Sequence, residues 1–240
     1  MKWGQARRQQ MNQGPEQFIK IDSYEFIKTV YSWLALAITL MVIVAAVTHF
    51  GELLPPDPDR TELLQWLGSI RTLAIMVGLT AAKMGRAKVV TVLFVITSIL
   101  TGVSFGAFFT FATTESMAAI LVVTLALYGA FSIFGYTTAY DLTSLSWLYS
   151  FSFFFFMIFW KIFPIPVPEF LTAAVVIGLI TSLLIVSYET QRTRAFSQAA
   201  YLNVEQAAAM AMLQSFTLFL GFQITFAGVF FLLFVPRPEF

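Results

Sequence analysis

The 240-residue sequence contains no cysteine and a single histidine, His49. Without cysteine, the chain cannot form a disulfide framework, a thiol nucleophile, an iron–sulfur site or a thiolate zinc site. A single histidine also excludes bis-histidine haem and histidine-rich metal sites. Charge is scarce as well, at 11% of residues with a net charge of +1. The chain therefore offers no general attraction to nucleic acid, and we expect no nucleic-acid partner.

Apolar residues are abundant instead. The chain is 58% hydrophobic and 17% aromatic, with 27 phenylalanines against 14 lysines and arginines. An ordinary soluble domain carries about 25% charged residues, more than twice the fraction found here. This composition predicts a polytopic membrane protein whose surroundings are mainly lipid.

Seven apolar segments are long enough to cross a bilayer as helices, which takes about 20 residues each. They are 27–50, 63–82, 89–111, 117–138, 145–163, 170–188 and 207–234. The predicted fold is therefore all-α, a bundle of seven transmembrane helices. Residues 1–26 form a polar cytoplasmic tail, 27–235 the membrane domain, and 236–240 a short C-terminal tail.

The positions of lysine and arginine predict the orientation of the bundle, because these residues concentrate in cytoplasmic segments. With the N-terminus in the cytoplasm, ten of the 14 fall inside and three outside, and Arg71 lies within the second span. We therefore expect a cytoplasmic N-terminus and an external C-terminus, in a bacterial inner membrane.

Two polar stretches follow predicted helices, and together they resemble a known family. The first is Gly135-Tyr136-Thr137-Thr138-Ala139-Tyr140-Asp141-Leu142-Thr143, and the second is Tyr188-Glu189-Thr190-Gln191. A third segment, Leu100-Thr101-Gly102-Val103-Ser104-Phe105, lies in the third span. In order and spacing they make the chain similar to the Bax inhibitor-1 family, closest to its bacterial YccA-like branch. The resemblance covers residues 24–234.

The resemblance implies a seven-helix bundle with the last helix near its centre. Some members of the family are described as pH-sensitive calcium leak channels, and others as substrates or modulators of a membrane-bound protease. The leak is attributed to a pair of aspartates, one in the stretch after the sixth helix and one in the last helix. The corresponding residues here are Glu189 and Gln214.

Replacing one carboxylate by an amide changes the chemistry expected of this pair. Two carboxylates in a low-dielectric site cannot both ionise cheaply, so they can share a proton or hold a divalent cation. Glu189 and Gln214 carry one charge between them, although Gln214 can donate a hydrogen bond to Glu189. Calcium prefers several oxygen ligands, including carboxylates, so a calcium gate is disfavoured and no other cofactor is expected.

Lys83 and Asp141 complete the candidate gate or proton site, because both are expected near the cytoplasmic face with Glu189. Lys83 can form an electrostatic latch with Glu189, or it can be an ordinary interfacial charge. In the family's first motif, Ala139 and Tyr140 replace a lysine–arginine pair, which removes two positive charges from this loop.

Arg71 is an intramembrane charge, which costs about 2.5–3.5 kcal/mol or more at the centre of a helix. Its distance along the helix from the level of Glu189 is roughly 16 Å, too far for a pair. We expect it to contact Gln223 or Tyr128 at its own depth, or to extend toward the outer surface. A structural role and a role in permeation both remain open.

Two other functions suggested by the sequence lack the residues they need. Gly102-Val103-Ser104-Phe105-Gly106 matches the Gly-x-Ser-x-Gly pattern of hydrolases, but it lies inside an apolar helix without a histidine base. The same residues predict a Gly-x-x-x-Gly packing face. A retinal protein needs a lysine in the last helix, and none is present. We therefore expect no enzymatic activity.

Two functions remain open. The first is a regulator or adaptor in the membrane, in stress regulation, with a membrane protease or other membrane-complex subunits as partners. The second is a pH-sensitive cation leak channel that uses the modified pair. A polar pathway along the last helix would favour the channel. The polar residues there are Gln214, Ser215, Thr217, Gln223 and Thr225.

Overall fold

The computed structural model describes residues 19–20, 22–53, 59–109, 113–148, 168–199, 201–202 and 204–234. Within these residues the chain forms six α-helices, a short 3₁₀ helix and one two-residue β-ladder. The α-helices are α1 (Ser23–Phe50), α2 (Asp59–Lys83), α3 (Ala87–Phe108), α4 (Thr114–Thr137), α5 (Pro168–Ala199) and α6 (Val204–Phe234). The 3₁₀ helix is Thr143–Ser146.

Four helical segments are long and apolar enough to cross a membrane: Ser23–Phe50, Ala87–Ala107, Glu115–Thr137 and Gln206–Leu233. A shorter apolar helix covers Trp66–Ala82. All six α-helices coincide with predicted spans, which confirms a helical membrane protein. Of the fifth predicted span, 145–163, only residues 145–148 lie within the described part of the chain.

The sixth predicted span ends at Tyr188, but the helix that contains this span does not end there. Helix α5 continues to Ala199, so Glu189, Thr190 and Gln191 lie inside the helix rather than after it. Glutamate, glutamine, arginine and alanine all favour helix, so the backbone continues where the apolar run stops. The boundary of an apolar run marks the membrane surface, not the end of the helix.

Helix α6 lies at the centre of the described bundle and contacts each of the other five α-helices. Its aromatic face packs on α3: the ring of Phe226 stacks on Phe105 at 4.4 Å between centroids, and Phe94 lies 5.5 Å from Phe216 and 5.6 Å from Phe219. The Phe216 and Phe219 side chains are almost completely buried. This central position agrees with the arrangement that the family resemblance implies.

The predicted glycine packing face joins α3 to α1. A Cβ atom at Gly102 would lie 2.7 Å from the carbonyl oxygen of Met41, and one at Gly106 would lie 2.6 Å from Cβ of Thr48. Only glycine permits so close an approach of two helices. This confirms the packing role of the Gly-x-x-x-Gly segment.

A β-ladder connects the N-terminal region to the turn between α5 and α6. Strand β1 (Ile19–Lys20) pairs antiparallel with β2 (Tyr201–Leu202), with Ile19 opposite Leu202. Close by, the hydroxyl of Ser23 donates to the carbonyl of Ser197 at 2.9 Å. The end of the predicted N-terminal tail is therefore fixed to the bundle near the candidate site.

Candidate functional site: a polar junction between the last two helices

Glu189 is the most deeply buried charged group in the described part of the chain, with 1% of its surface exposed. Its Oε2 accepts a hydrogen bond from the Thr217 hydroxyl on α6 at 3.2 Å. Its Oε1 lies 3.3 Å from Nη1 of Arg192, whose side chain is 52% exposed. The carboxylate therefore has one partner inside the bundle and one at its surface.

Gln214 on α6 forms the matching half of this junction. Its Oε1 lies 3.1 Å from the hydroxyl of Thr193, which also lies 2.8 Å from the carbonyl of Glu189. Thr217 in turn lies 3.0 Å from the carbonyl of Gln214. Each helix thus presents a threonine to the acid or amide of the other. Glu189 and Gln214 are linked through these threonines, and no direct hydrogen bond between them is among the described contacts.

Hydroxyl groups extend the junction to α1 and α4. The Ser215 hydroxyl donates to the carbonyl of Val30 on α1 at 2.8 Å, and the Tyr128 hydroxyl donates to the carbonyl of Leu218 at 3.0 Å. Such bonds between helices contribute about 0.6 kcal/mol each on average within a membrane. Four helices are therefore tied together at the level of Glu189.

Ser132 on α4 connects two further hydroxyl groups. Its Oγ lies 2.9 Å from the hydroxyl of Tyr31 on α1 and 3.1 Å from Oγ1 of Thr190 on α5. Ser132 and Thr190 are both buried. Thr190 of the second sequence motif therefore binds α4 rather than solvent.

Gln191 fixes the loop that follows α4. Its Oε1 accepts from the backbone N–H of Leu142 at 2.8 Å, and its Nε2 donates to the carbonyl of Tyr140 at 2.6 Å. The two motifs of the sequence are thereby brought into direct contact. Thr138, in the same loop, accepts from the Tyr140 N–H at 3.3 Å.

Asp141 lies in this loop and caps its own turn. Its carboxylate accepts from the hydroxyl of Thr143 and from the backbone N–H of Thr143 at 2.9 Å. These two hydrogen bonds hold the pKa of Asp141 below its ordinary value. Asp141 is exposed, and its described hydrogen bonds stay within the loop.

The first motif also sets the distance between α4 and α5. A Cβ atom at Gly135 would lie 2.1 Å from the carbonyl oxygen of Ser187, so the two backbones are in contact there. Two turns after Ser187, Nη1 of Arg194 donates to the carbonyl of Tyr136 at 2.5 Å, and its guanidinium lies 5.4 Å from the Tyr136 ring centroid. The described bonds of the Thr137 hydroxyl go to its own helix, at the carbonyls of Ile133 and Phe134.

The described contacts do not join Lys83, Arg71 or Gln223 to the junction. Lys83 is the last residue of α2, and its side chain lies outside the described part, so its pairing with Glu189 stays a prediction. No described residue forms a hydrogen bond or ion pair with Arg71. Nε2 of the buried Gln223 also has no hydrogen-bond partner in the described part of the chain. The expected Arg71 contacts with Gln223 and Tyr128 are therefore not seen.

Tyr188 lines the surface cavity beside Gln191 and Arg192.

The junction supplies few ligands for a metal ion. Within the described residues, no group of three or more histidine, aspartate or glutamate side chains is close enough to hold one. Calcium takes six to eight oxygens, whereas the site offers one carboxylate, one amide oxygen and threonine hydroxyls. The arrangement is better suited to holding a single proton or a single charge between two helices.

The sequence did not single out Arg192, Thr193 or Ser132, although a signal was available for two of them. Arg192 and Thr193 follow Glu189 by three and four residues, the spacing that places side chains on one helix face. Because the helix was expected to end at Tyr188, this spacing was not applied. No sequence pattern indicates Ser132, which depends on how α4 packs.

Comparison with known proteins assigns this fold and these motifs to a family. The family model described as "Inhibitor of apoptosis-promoting Bax1" matches residues 24–235. The "Inner membrane protein YbhL" of Escherichia coli strain K12 and that of E. coli O6:H1 strain CFT073 are each 31% identical over 120 residues. That alignment covers 49% of this chain and 51% of each relative, so the chain spans about half the length of the curated relatives it matches. The chain belongs to the family of inhibitors of apoptosis-promoting Bax1, the Bax inhibitor-1 family of membrane proteins.

Proposed function

We propose that this protein is a regulator or adaptor of the bacterial inner membrane, whose partner is a membrane protease or another membrane complex. It acts without a cofactor and catalyses no reaction of its own. The similarity to inner membrane proteins of E. coli supports the location. We further propose that the N-terminus is cytoplasmic and the C-terminus external, as the distribution of lysine and arginine favours.

The observation that carries this proposal is how the polar residues of α6 are used. Ser215 bonds to α1, and Thr225 lies 3.1 Å from the Ser182 hydroxyl on α5. Their hydroxyls also bond to carbonyls of their own helix, at Ala211 and Gly221. These hydroxyl groups tie α6 to neighbouring helices. Polar side chains that hold helices together favour a protein that acts through binding rather than conduction.

A direct test of the adaptor function is purification from its native membrane in mild detergent, using a tag on the full chain. We expect a second membrane protein to accompany it in fixed stoichiometry, and the complex to dissociate in harsh detergent. Substitution on the loop of residues 138–142, which is exposed on the proposed cytoplasmic side, is expected to weaken the complex. Recovery of the chain alone under every mild condition would contradict the proposal.

One observation favours the second candidate, a pH-sensitive cation leak. Glu189 is a buried carboxylate whose outer partner, Arg192, is half exposed. Protonation of Glu189, or loss of Arg192 to solvent, would remove the charge pair that joins the interior to the surface. This candidate predicts a pH-dependent cation flux that is lost in Glu189→Gln.

A further inference from the structure

An apolar groove of about 480 Å³ runs between α1 and α4. On α1 it extends from Ile27 to Ile38, and on α4 from Leu125 to Tyr136. Each stretch covers twelve residues, and its eleven steps of 1.5 Å give a length of about 16 Å. The groove therefore begins at the end of the bundle where Glu189 lies and stops about midway through the membrane.

This length indicates what fills the groove. The hydrocarbon core of a bilayer is about 30 Å thick, so 16 Å corresponds to the depth of one leaflet. A transmembrane helix from a partner would need a surface about twice as long. A lipid acyl chain of one leaflet has the matching length, and its chemistry matches the aliphatic walls.

A positive charge at the mouth of the groove corresponds to a phosphate headgroup. Tyr136 lines this end, and the guanidinium of Arg194 lies over its ring with one N–H donated to the Tyr136 carbonyl. Arg194 retains further N–H donors for an anion. Lys28 is next to Ile27 on α1, but its Nζ lies 3.4 Å from Oε1 of Glu25 on the same helix, so its charge is already paired. Arg194 is therefore the cation available to an anion at this end of the groove.

We propose that this groove binds one acyl chain of a membrane phospholipid, with its phosphate held by Arg194. Tyr31 and Ser132 line the groove and connect its floor through Thr190 to α5, beside Glu189. The hydroxyl groups of Tyr31, Ser132 and Thr190 therefore connect the bound lipid to the polar junction. This site does not depend on whether the protein is an adaptor or a channel.

Gly129 offers a selective way to fill the groove. It lines the groove on α4, and a Cβ atom there would meet no neighbouring atom within 4 Å. Gly129→Leu therefore adds a side chain on the groove wall at a position where its Cβ atom meets no neighbour. Gly68 on α2 is the matched control, because a Cβ atom there also meets nothing within 4 Å and it lies outside the groove. Ala35→Leu is a second variant on the opposite wall.

The test is native mass spectrometry of the full chain, stripped of lipid in detergent and then given dioleoyl phosphatidylglycerol. We expect one lipid bound to the wild type and to Gly68→Leu, with at least tenfold weaker binding by Gly129→Leu and Ala35→Leu. Dioleoylglycerol, which lacks the phosphate, is expected to bind the wild type more weakly than phosphatidylglycerol does. Because it makes no phosphate contact, it is expected to bind Arg194→Gln as well as it binds the wild type. Circular dichroism and elution volume identify any variant that does not fold.

Binding of phosphatidylglycerol by folded Gly129→Leu and folded Ala35→Leu at the wild-type level would overturn the proposal. So would equal binding of dioleoylglycerol and phosphatidylglycerol by the wild type, since the phosphate contacts would then contribute nothing. A photo-cross-linker placed at Gly129 in native membranes gives an independent result. We expect it to label lipid, and labelling of a protein in place of lipid would also overturn the proposal.

Discussion

The Glu189 carboxylate is held by one hydroxyl group and one arginine rather than facing a second carboxylate. Thr217 is its partner inside the bundle, and Arg192 is its partner at the surface. Because Gln214 is neutral, no like-charge repulsion pushes α5 and α6 apart at this level. At the scale of single residues, the junction is therefore built to stay closed.

The Thr217 hydroxyl stabilises the buried carboxylate, so its loss is expected to be costly. We predict that Thr217→Val lowers the free energy of unfolding by about 1–3 kcal/mol, because one oxygen of a buried carboxylate loses its donor. Thr101→Val is the matched control: Thr101 is fully buried, and its described hydroxyl bond goes only to the carbonyl of Thr97 in its own helix. Unfolding in mild detergent measures the free energy of unfolding of both variants. Equal losses in Thr217→Val and Thr101→Val would contradict the role of Thr217 as the donor to Glu189.

Asp141 is expected to respond to acid only, well below neutral pH. The hydrogen bonds from Thr143 lower its pKa in the folded protein, so its stabilising effect is present above the unfolded value of about 3.9. That effect is lost as pH falls through the still lower folded value. We predict that the melting temperatures of the wild type and Asp141→Asn differ by a constant amount from pH 8 to pH 5 and converge only in stronger acid. A difference that changes between pH 6 and pH 8 would identify Asp141 as a sensor near neutral pH.

Helices α4 and α5 form the closest contact among the elements of the site. The approach at Gly135 brings Ser187 close enough for its hydroxyl to donate to the carbonyl of Phe131 at 2.9 Å. Arg194 and Gln191 then fix the residues that follow α4. The position of the loop is therefore set by helix packing that begins at a single glycine.

The closeness of α4 and α5 can be tested with two glycines of the same helix. We predict that Gly135→Ala destabilises the protein by about 1–3 kcal/mol, because the added methyl group would overlap the backbone of Ser187. Gly129→Ala meets open space and should be neutral or stabilising, since alanine favours helix by about 0.5–1 kcal/mol over glycine. Thermal unfolding of the two variants gives the comparison, and equal melting temperatures would contradict the close approach.

Apolar runs in the sequence predicted where the helices lie, but they did not predict where a helix ends when its last turns are polar. The runs located every helix that the structure describes, because a bilayer demands about 20 apolar residues from each. The same criterion ended the sixth span at Tyr188, whereas α5 continues to Ala199. Beyond the membrane surface the helix is stabilised by its own propensity and by contacts such as Gln191 with the loop, and hydropathy does not report either.

The candidate site was partly predictable for the same physical reason. The family resemblance indicated Glu189 and Gln214, and their proximity across α5 and α6 agrees with that expectation. The bridging roles of Thr193 and Thr217 depend on the relative rotation and register of two helices, which the sequence of either helix alone does not determine. The pairing of Tyr31 with Ser132 likewise joins residues 101 positions apart.

At the scale of the whole molecule, the bundle is organised around a central helix whose polar residues face its neighbours. Phenylalanine layers lie beside that polar face, and the junction at Glu189 closes the end near the β-ladder. The lipid groove opens on the same half of the molecule. Together these features support the proposal that the protein acts through binding surfaces.

Calcium flux into sealed vesicles that contain only this protein and phospholipid distinguishes the proposed adaptor from a leak channel. We predict that wild-type vesicles and Glu189→Gln vesicles take up no more calcium than empty vesicles from pH 5 to pH 8. An added calcium ionophore confirms that the vesicles are sealed and loaded with indicator. A wild-type flux that changes with pH and disappears in Glu189→Gln would contradict the account and establish the leak channel instead.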